Sequence, residues 1–358
     1  MKPRIFFVKP NESPFTKVDS SILQSHFPLK SINLRQSSGR LHYLWSLCKL
    51  FLKILASPSP TLVAVWFADY HAALAVLAAR LRGFKSVIFI GGFDAVCYPE
   101  FNYGAYCNRL RSAMVRYALK HTNLIIANHA SLLQSSNTYY NPKGHIEGIF
   151  NLIPSLKTPA IVIHNAITIE APETLSLQQE RKIDFLCVGG TPRYNDIYNK
   201  GFDLIAAFAK QNPQYTIHII GLKKEYHDRF RQEHALEETT NLFLHDRLSH
   251  RKVLQMLSNT RFYLQPSISE GMPNALMEAM MLGCMPIGSN VAGIPTLIGE
   301  YGVVFATRDV GSLSRAISKA QNLKHDPREI SQWMQGEFCV EKRAEKLIKA
   351  IKGIYSQD

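Results

Sequence analysis

The sequence predicts an α/β protein of two domains, each a parallel sheet with helices on both faces. Three observations carry the prediction. Short apolar runs of strand length alternate with longer stretches of helical composition along most of the chain, the pattern of strand-helix-strand units. The 358 residues exceed one ordinary domain, and a hydrophobic content of 46% suffices for two cores. Between Ile167 and Glu180 the chain turns polar, with Pro172, Glu173 and a Gln pair at Gln178 and Gln179, which reads as a hinge. The expected division is residues 1–168, residues 169–339 and a basic terminal helix at 340–358.

In the first half, residues 4–8 form a short buried strand, followed by a polar loop through Asn11, Glu12, Ser13 and Pro14. Residues 39–56 are helical in composition, with Arg40, His42, Lys49 and Lys53 set among large apolar side chains, and Pro58 and Pro60 end the run. Two readings stand for it: a membrane-surface helix, or a domain helix packed on the sheet with solvated lysines. The strand 61–66 is followed by Asp69, Tyr70 and His71, ahead of a helix over 72–81. Ligands of open α/β sheets bind at the carboxyl ends of strands, which makes Asp69 and His71 candidates; a capping Asp and an exposed His have the same appearance. The strand 86–90 runs into Gly91-Gly-Phe-Asp, where Asp94 is either a carboxylate beside a ligand or a turn residue. A helix over 108–120 carries Arg109, Arg111, Arg116 and Lys120, and strands at 124–127 and 160–166 close the half.

The second half opens with the strand 183–190, and a polar loop leads to Lys200-Gly201 and an apolar helix from Phe202. A glycine turn with a Lys at a helix start is a phosphate seat, with Lys200 as the point charge. Strand-helix units follow at 215–221 and at 241–257. The strand 261–265 then feeds Pro-Ser-Ile-Ser-Glu-Gly-Met-Pro-Asn-Ala-Leu-Met-Glu-Ala, residues 266–279, a tight loop entering a helix. Pro273 suits the first helical turn, and Gly271 lets backbone approach a ligand. Free N–H groups and the positive end of the helix dipole favour an anion there, most simply a phosphate. Glu270 and Glu278 flank that place about two turns apart. A nucleotide sugar has the matching layout of sugar, diphosphate and ribose.

The spacing Glu-x7-Glu in this motif, continued through Gly283, Pro286, Ser289, Gly293 and Pro295, resembles the signature of glycosyltransferase family 4. These are retaining enzymes of the GT-B fold, two Rossmann-like domains facing across a cleft, with a last helix that crosses back to the first domain. The resemblance implies that Glu270 contacts the donor sugar and Glu278 the ribose hydroxyls. It implies that Lys200, Arg193 and the N–H groups of Gly271 and Met272 stabilise the leaving diphosphate, with Gly190, Pro273, Asn274 and Leu276 completing the donor seat. Four places depart from the family pattern. The first loop lacks a Gly-Gly pair, Phe93 stands where a His is common so that only Asp94 carries over, Gly190 replaces an Arg, and Thr296 replaces a Glu. No Asp-x-Asp motif precedes a strand end, and a cationic side chain can do a metal's work. The resemblance therefore implies no metal and no cofactor, with a UDP- or GDP-sugar as donor substrate.

Charge and cysteine content bound the setting. The net charge is +13, and it is lopsided: residues 1–165 hold 18 Lys and Arg against 6 Asp and Glu, the remainder 23 against 22. The first half is expected to meet something anionic, such as a membrane surface, a lipid diphosphate or nucleic acid. Six scattered cysteines show no CxxC pair or metal-ligand spacing and read as free thiols of a reducing compartment. The first apolar run is too short for a signal peptide, and no stretch offers about 18 uninterrupted apolar residues. The expectation is a cytoplasmic protein, peripheral on the membrane's cytoplasmic face. It would transfer a sugar to the hydroxyl of a glycan or lipid-linked acceptor in making cell-surface glycan, whether lipopolysaccharide, capsule or exopolysaccharide. The rivals are a sugar-nucleotide epimerase of the same fold and a basic nucleic-acid-binding protein. The basic charge is spread over helices without a recognised nucleic-acid module, which favours no nucleic-acid partner.

Overall fold

The structure, a computed structural model, describes residues 3–34, 39–59, 61–169 and 180–355. Pro60 and most of the expected hinge, with Pro172, Glu173, Gln178 and Gln179, lie outside the described residues, as does the side chain of Arg40. The chain divides into two compact units: residues 1–135, 146–168 and 338–358 form the first, and residues 136–145 and 169–337 the second.

The first unit holds β1 (Arg4–Lys9), α1 (Pro14–His26), β2 (Leu29–Asn33), α2 (Arg40–Leu55), β3 (Thr61–Trp66), α3 (Tyr70–Leu81), β4 (Lys85–Ile90), α4 (Arg109–His121) and β5 (Leu124–Ala127). Short strands β6 (Ser135–Asn137) and β7 (His145–Glu147) pair with each other around residues 136–145, and α5 (Ile149–Leu152) and β8 (Ala160–Val162) follow. Its six-stranded sheet is parallel throughout, in the order β2-β1-β3-β4-β5-β8. Strands β1 and β3 are buried along almost their whole length, which is why their sequences read as unbroken apolar runs rather than alternating ones. The edge strand β2, with its exposed Lys30, Ser31 and Asn33, has no such run.

The second unit repeats the plan. It comprises β9 (Ile183–Val188), α6 (Asp196–Lys200), α7 (Phe202–Gln211), β10 (Ile217–Ile220), α8 (His227–Glu233), β11 (Leu242–His245), α9 (His250–Ser258), β12 (Thr260–Gln265), α10 (Asn274–Met281), β13 (Met285–Ser289), α11 (Ile294–Ile298), β14 (Val303–Phe305), α12 (Val310–Asn322) and α13 (Pro327–Glu337). The sheet order is β11-β10-β9-β12-β13-β14, again all parallel. Strands β13 and β14 escape a propensity reading: Pro286 and Gly288 interrupt the first, and the second has three residues.

The last helix, α14 (Val340–Tyr355), belongs to the first unit and buries Leu347 and Ile351 with Ile5, Phe7, Ile22 and Trp66. A charge anchors it. Arg343 forms a bidentate pair with Asp19 of α1, Nε to Oδ1 at 2.6 Å and Nη2 to Oδ2 at 2.8 Å, with both side chains excluded from solvent. The indole N–H of Trp66 donates to Asp19 at 2.8 Å, and Arg343 also donates to the carbonyls of Ile163 and His164. Such a pair adds little over an apolar contact, but breaking it strands a buried charge.

Helix α2 buries one set of apolar side chains and exposes another. Leu47, Leu50 and Ile54 are in the core, whereas Leu41, Leu44, Trp45 and Leu52 are exposed, Leu41 at 83%. The Lys49 ammonium lies 4.9 Å from the Trp45 ring centre. Among the described residues no helix is long and apolar enough to cross a membrane.

Arg343→Met is expected to destabilise the first unit by about 3–5 kcal/mol, because Asp19 stays buried without its partner. Chemical denaturation checks this, and the double variant Asp19→Asn/Arg343→Met should recover part of the loss.

Candidate active site

The second unit assembles its site on one short loop. The backbone between β12 and α10, residues 266–273, is clamped by the residues just ahead of α7. Asn199 accepts the N–H of Ile268 on its carbonyl at 2.8 Å and that of Ser269 on its side-chain oxygen at 3.1 Å. Gly201 follows in the left-handed region at φ +68°, and a Cβ there would collide with the Pro266 carbonyl, so only glycine permits this approach. The clamp sets Lys200 against Glu270: Nζ donates to Oε1 at 2.6 Å, with the two side chains 20% and 13% exposed. Ser267 and Gln265 donate to the same Glu270 oxygen at 3.0 and 3.3 Å.

Further braces fix the loop. Ser289 donates to the Ser267 carbonyl at 2.7 Å, and the N–H of Gly293 to the Gly271 carbonyl at 2.9 Å. Asn137 and Tyr139, from the 136–145 segment, donate to the carbonyls of Ile268 and Pro266 at 2.7 and 3.2 Å. Helix α10 starts at Asn274, so the N–H groups of its first turn have no acceptor inside the helix. Pro273 is the N-cap residue, one place before the helical turn expected for it.

Glu278 lies on α10 at 7% side-chain exposure and accepts from His250 Nε2 at 3.0 Å, the imidazole itself being 55% exposed. Burial pushes the Glu278 carboxyl above its ordinary range, and the neighbouring His250 opposes that shift. The two carboxylates thus differ: Glu270 is held by an ammonium, and Glu278 is buried behind an imidazole. His250 escapes a reading of the sequence because it begins a different helix, with no spacing that ties it to the motif.

The remaining donor-side residues divide. Met272 is buried, Asn274 is half-buried, and Gly190 has open space where a side chain would project. Leu276 is wholly buried. Arg193 forms an ion pair with Asp196 at 2.7 Å, and Asp196 also accepts the Arg193 backbone N–H at 2.8 Å, so its guanidinium is engaged within its own loop. Among the described residues no group of three or more His, Cys, Asp or Glu stands ready to hold a metal ion.

In the first unit, the two residues expected at strand ends turn inward. His71 is the second residue of α3, not a loop residue ahead of it, and is 1% exposed. Its Nε2 meets the Trp66 carbonyl at 2.9 Å, and burial lowers its pKa. Asp69 is the N-cap of α3 and accepts from Tyr70 N–H and from Arg111. Asp94 is fully buried and accepts three backbone N–H groups: Gly91 at 3.0 Å, Gly92 at 3.1 Å and Ala68 at 2.9 Å. Ala68 follows Phe67, which holds a left-handed φ of +66°, so Asp94 ties the strained end of β3 to the end of β4. Three backbone donors thus converge on its side chain.

Burial raises the Asp94 pKa from its ordinary 3.8 to about 6, against the lowering effect of its backbone donors. The folded chain therefore holds that proton where the unfolded chain has released it. The Asp94 contribution to stability falls as pH rises from about 4 to about 6 and is level above. Its size is about 3 kcal/mol, at 1.36 kcal/mol per pKa unit. Urea unfolding across that range should show the slope in the natural chain and a smaller one in Asp94→Asn.

Known proteins share parts of this sequence and the whole of this architecture. The chain is 25% identical over 130 residues to a component of the phosphatidylinositol N-acetylglucosaminyltransferase of Arabidopsis thaliana, a match covering 35% of this chain and 29% of that protein. It is 23% identical over 171 residues to the gpi3 component of the same enzyme of Schizosaccharomyces pombe, covering 43% and 36%. The chain thus spans about a third of the length of these curated relatives. Among solved structures it is similar to sucrose-phosphate synthase from Thermosynechococcus elongatus, with a TM-score of 0.69 at 12% identity, covering 99% of this chain and 100% of that one. It is similar as well to HepE of Anabaena in complex with UDP and glucose, with a TM-score of 0.66 at 13% identity, covering 98% and 99%. The fold is the α/β GT-B fold of these glycosyltransferases. Residues 180–337, which hold the Lys200–Glu270 pair and Glu278, match the family described as glycosyl transferases group 1, and the match and the fold together support a glycosyltransferase.

Proposed function

We propose that this chain is a retaining, family 4 hexosyltransferase that moves a sugar from a UDP- or GDP-sugar to the hydroxyl of a glycan or lipid-linked acceptor in cell-surface glycan synthesis. The observation that carries the reading is the Lys200–Glu270 pair, fixed at 2.6 Å at the head of α10 with Glu278 farther along the same helix. In this reading the second unit holds the nucleotide sugar and the first takes the acceptor. Lys200 stabilises the leaving diphosphate together with the first-turn N–H groups of α10. Fixed donors of this kind act most strongly where negative charge develops. Glu270 orients Lys200 and, once the donor arrives, accepts from a sugar hydroxyl; Glu278 accepts from the ribose. UDP and glucose in the HepE structure support a nucleotide-sugar donor, and the phosphatidylinositol in the relatives' names supports a lipid-linked acceptor.

Glu278→Ala is expected to weaken binding of the bare nucleotide by about 1.5–3 kcal/mol, the range for hydrogen bonds to a charged group. Glu270→Ala should leave that affinity nearly intact and reduce turnover. Calorimetry with UDP and GDP, beside a sugar-transfer assay, separates the two roles; equal nucleotide affinity in Glu278→Ala would remove the ribose assignment. Because Lys200 and the helix N-terminus take a cation's place, turnover should survive EDTA, and loss restored by magnesium would overturn that point.

The same reading places the first unit on an anionic membrane at the cytoplasmic face, through α2. Its exposed Leu41, Leu44 and Trp45 lie on the same helix as Lys49 and Lys53, in a half of the chain with twelve excess positive charges. Each Lys or Arg near an anionic surface contributes about 1 kcal/mol, falling off within a Debye length. Liposome co-sedimentation should require anionic lipid, fall at high salt and weaken in Lys49→Glu/Lys53→Glu. Equal recovery with neutral vesicles would point to solubility as the role of these charges.

A further inference from the structure

The loop between β4 and α4 in the first unit brings two cysteines together. Cys97 and Cys107, ten residues apart, have their sulfur atoms 3.2 Å apart, and each is partly exposed. The approach is built by the backbone. Tyr98 and Tyr103 form an antiparallel bridge, with N–H to carbonyl distances of 2.7 and 3.0 Å in the two directions. Gly104, at φ +110°, lies flat against Val96 and Cys97, and a Cβ there would overlap the Val96 carbonyl. A single turn, Ala105–Cys107, then returns the second sulfur to the first, with the Cys107 thiol donating to the Tyr103 carbonyl at 3.1 Å. Underneath, the Tyr98 ring stacks on Phe101, and the Tyr98 hydroxyl donates to buried Glu147. The segment is thus closed and packed with both thiols reduced, and a disulfide, at about 2.05 Å between sulfurs, asks for an approach of roughly one ångström.

We propose that Cys97 and Cys107 are a redox modification site, forming a reversible internal disulfide on reaction with a small disulfide such as oxidised glutathione. Burial, and then the neighbouring Cys107, push the Cys97 thiol up to about 12. Cys107 as thiolate attacks one sulfur of glutathione disulfide; that S–S bond breaks, and one glutathione leaves as thiolate. Cys97 gives its proton to solvent and attacks the Cys107 sulfur of the mixed disulfide, expelling the second glutathione. The two protein thiols lose two electrons and two protons, and one glutathione disulfide becomes two thiols. The bond cross-links the loop that leaves the carboxyl end of β4, so it bears on the ligand-binding edge of the first unit's sheet. No CxxC spacing announces the pair, because Gly104 and the tyrosine bridge, not sequence proximity, bring the sulfurs together.

The test uses the full chain, incubated with oxidised glutathione, alkylated, digested and analysed by mass spectrometry. Exposed Cys48 serves as an internal measure of reaction. The expected result is a peptide cross-linked between Cys97 and Cys107 in most molecules, reversed by dithiothreitol. The cross-link should raise the melting temperature of the oxidised form, by restricting the unfolded chain. In Cys97→Ser the cross-link is lost, Cys107 retains glutathione, and the rise on oxidation disappears; Cys107→Ser is the companion variant should that one fold poorly. Lasting glutathione on Cys107 of the natural chain without the internal cross-link would overturn the proposal. So would an unreacted pair once Cys48 is fully converted.

Discussion

The site depends on a contact between two backbones. Residues 199–201 lie against residues 266–269 so closely that Asn199 satisfies two N–H groups of the motif loop and Gly201 has no room for a side chain. Lys200 sits between these two residues, and its ammonium therefore meets Glu270 without needing a long, floppy reach. Ser289, Gly293, Asn137 and Tyr139 hold the other side of the loop. A charged pair on a scaffold of this kind loses little entropy when it meets a ligand, which is the physical meaning of preorganisation.

The two carboxylates of the motif sit in different surroundings. Glu270 lies in the loop, gathers donors from Lys200, Ser267 and Gln265, and stays partly open to solvent. Glu278 is enclosed by the helix and its neighbours, and its exposed contact is the His250 imidazole. Burial favours the proton on Glu278, and the nearby imidazole favours the charge.

Much of this architecture is legible in the sequence, for identifiable reasons. Buried parallel strands write themselves as apolar runs, and β1, β3, β4, β9 and β12 are found that way, whereas the polar edge strand β2 and the Pro-containing β13 are not. Glu270 and Glu278 stand out in the sequence through the spacing of a strand-loop-helix motif, and Lys200 through the Lys-Gly turn ahead of α7. For Asp94 and His71, residue type and position at a strand end do not reveal which way a side chain turns. Asp94 turns to the backbone N–H groups of Gly91, Gly92 and Ala68, and His71 to the carbonyl of Trp66. Asn137, Asn199 and His250 go unnoticed because their partners lie far along the chain, 28 residues away for His250 and 131 for Asn137. No local pattern encodes such contacts.

The pairing of Asp19 with Arg343 also sets an order of assembly. The two residues are 324 positions apart, so at about 5–20 residues per second the ribosome needs roughly 15–65 s between them. From the completion of β8 at Val162 until α14 is made, the first unit has its sheet strands but lacks its last helix, and throughout Asp19 lacks its charged partner. The second unit, whose residues end at 337, has its whole complement earlier. A nascent chain therefore carries an unfinished first unit, with the apolar face that Leu347 and Ile351 will cover still open, for as long as the second unit is being made.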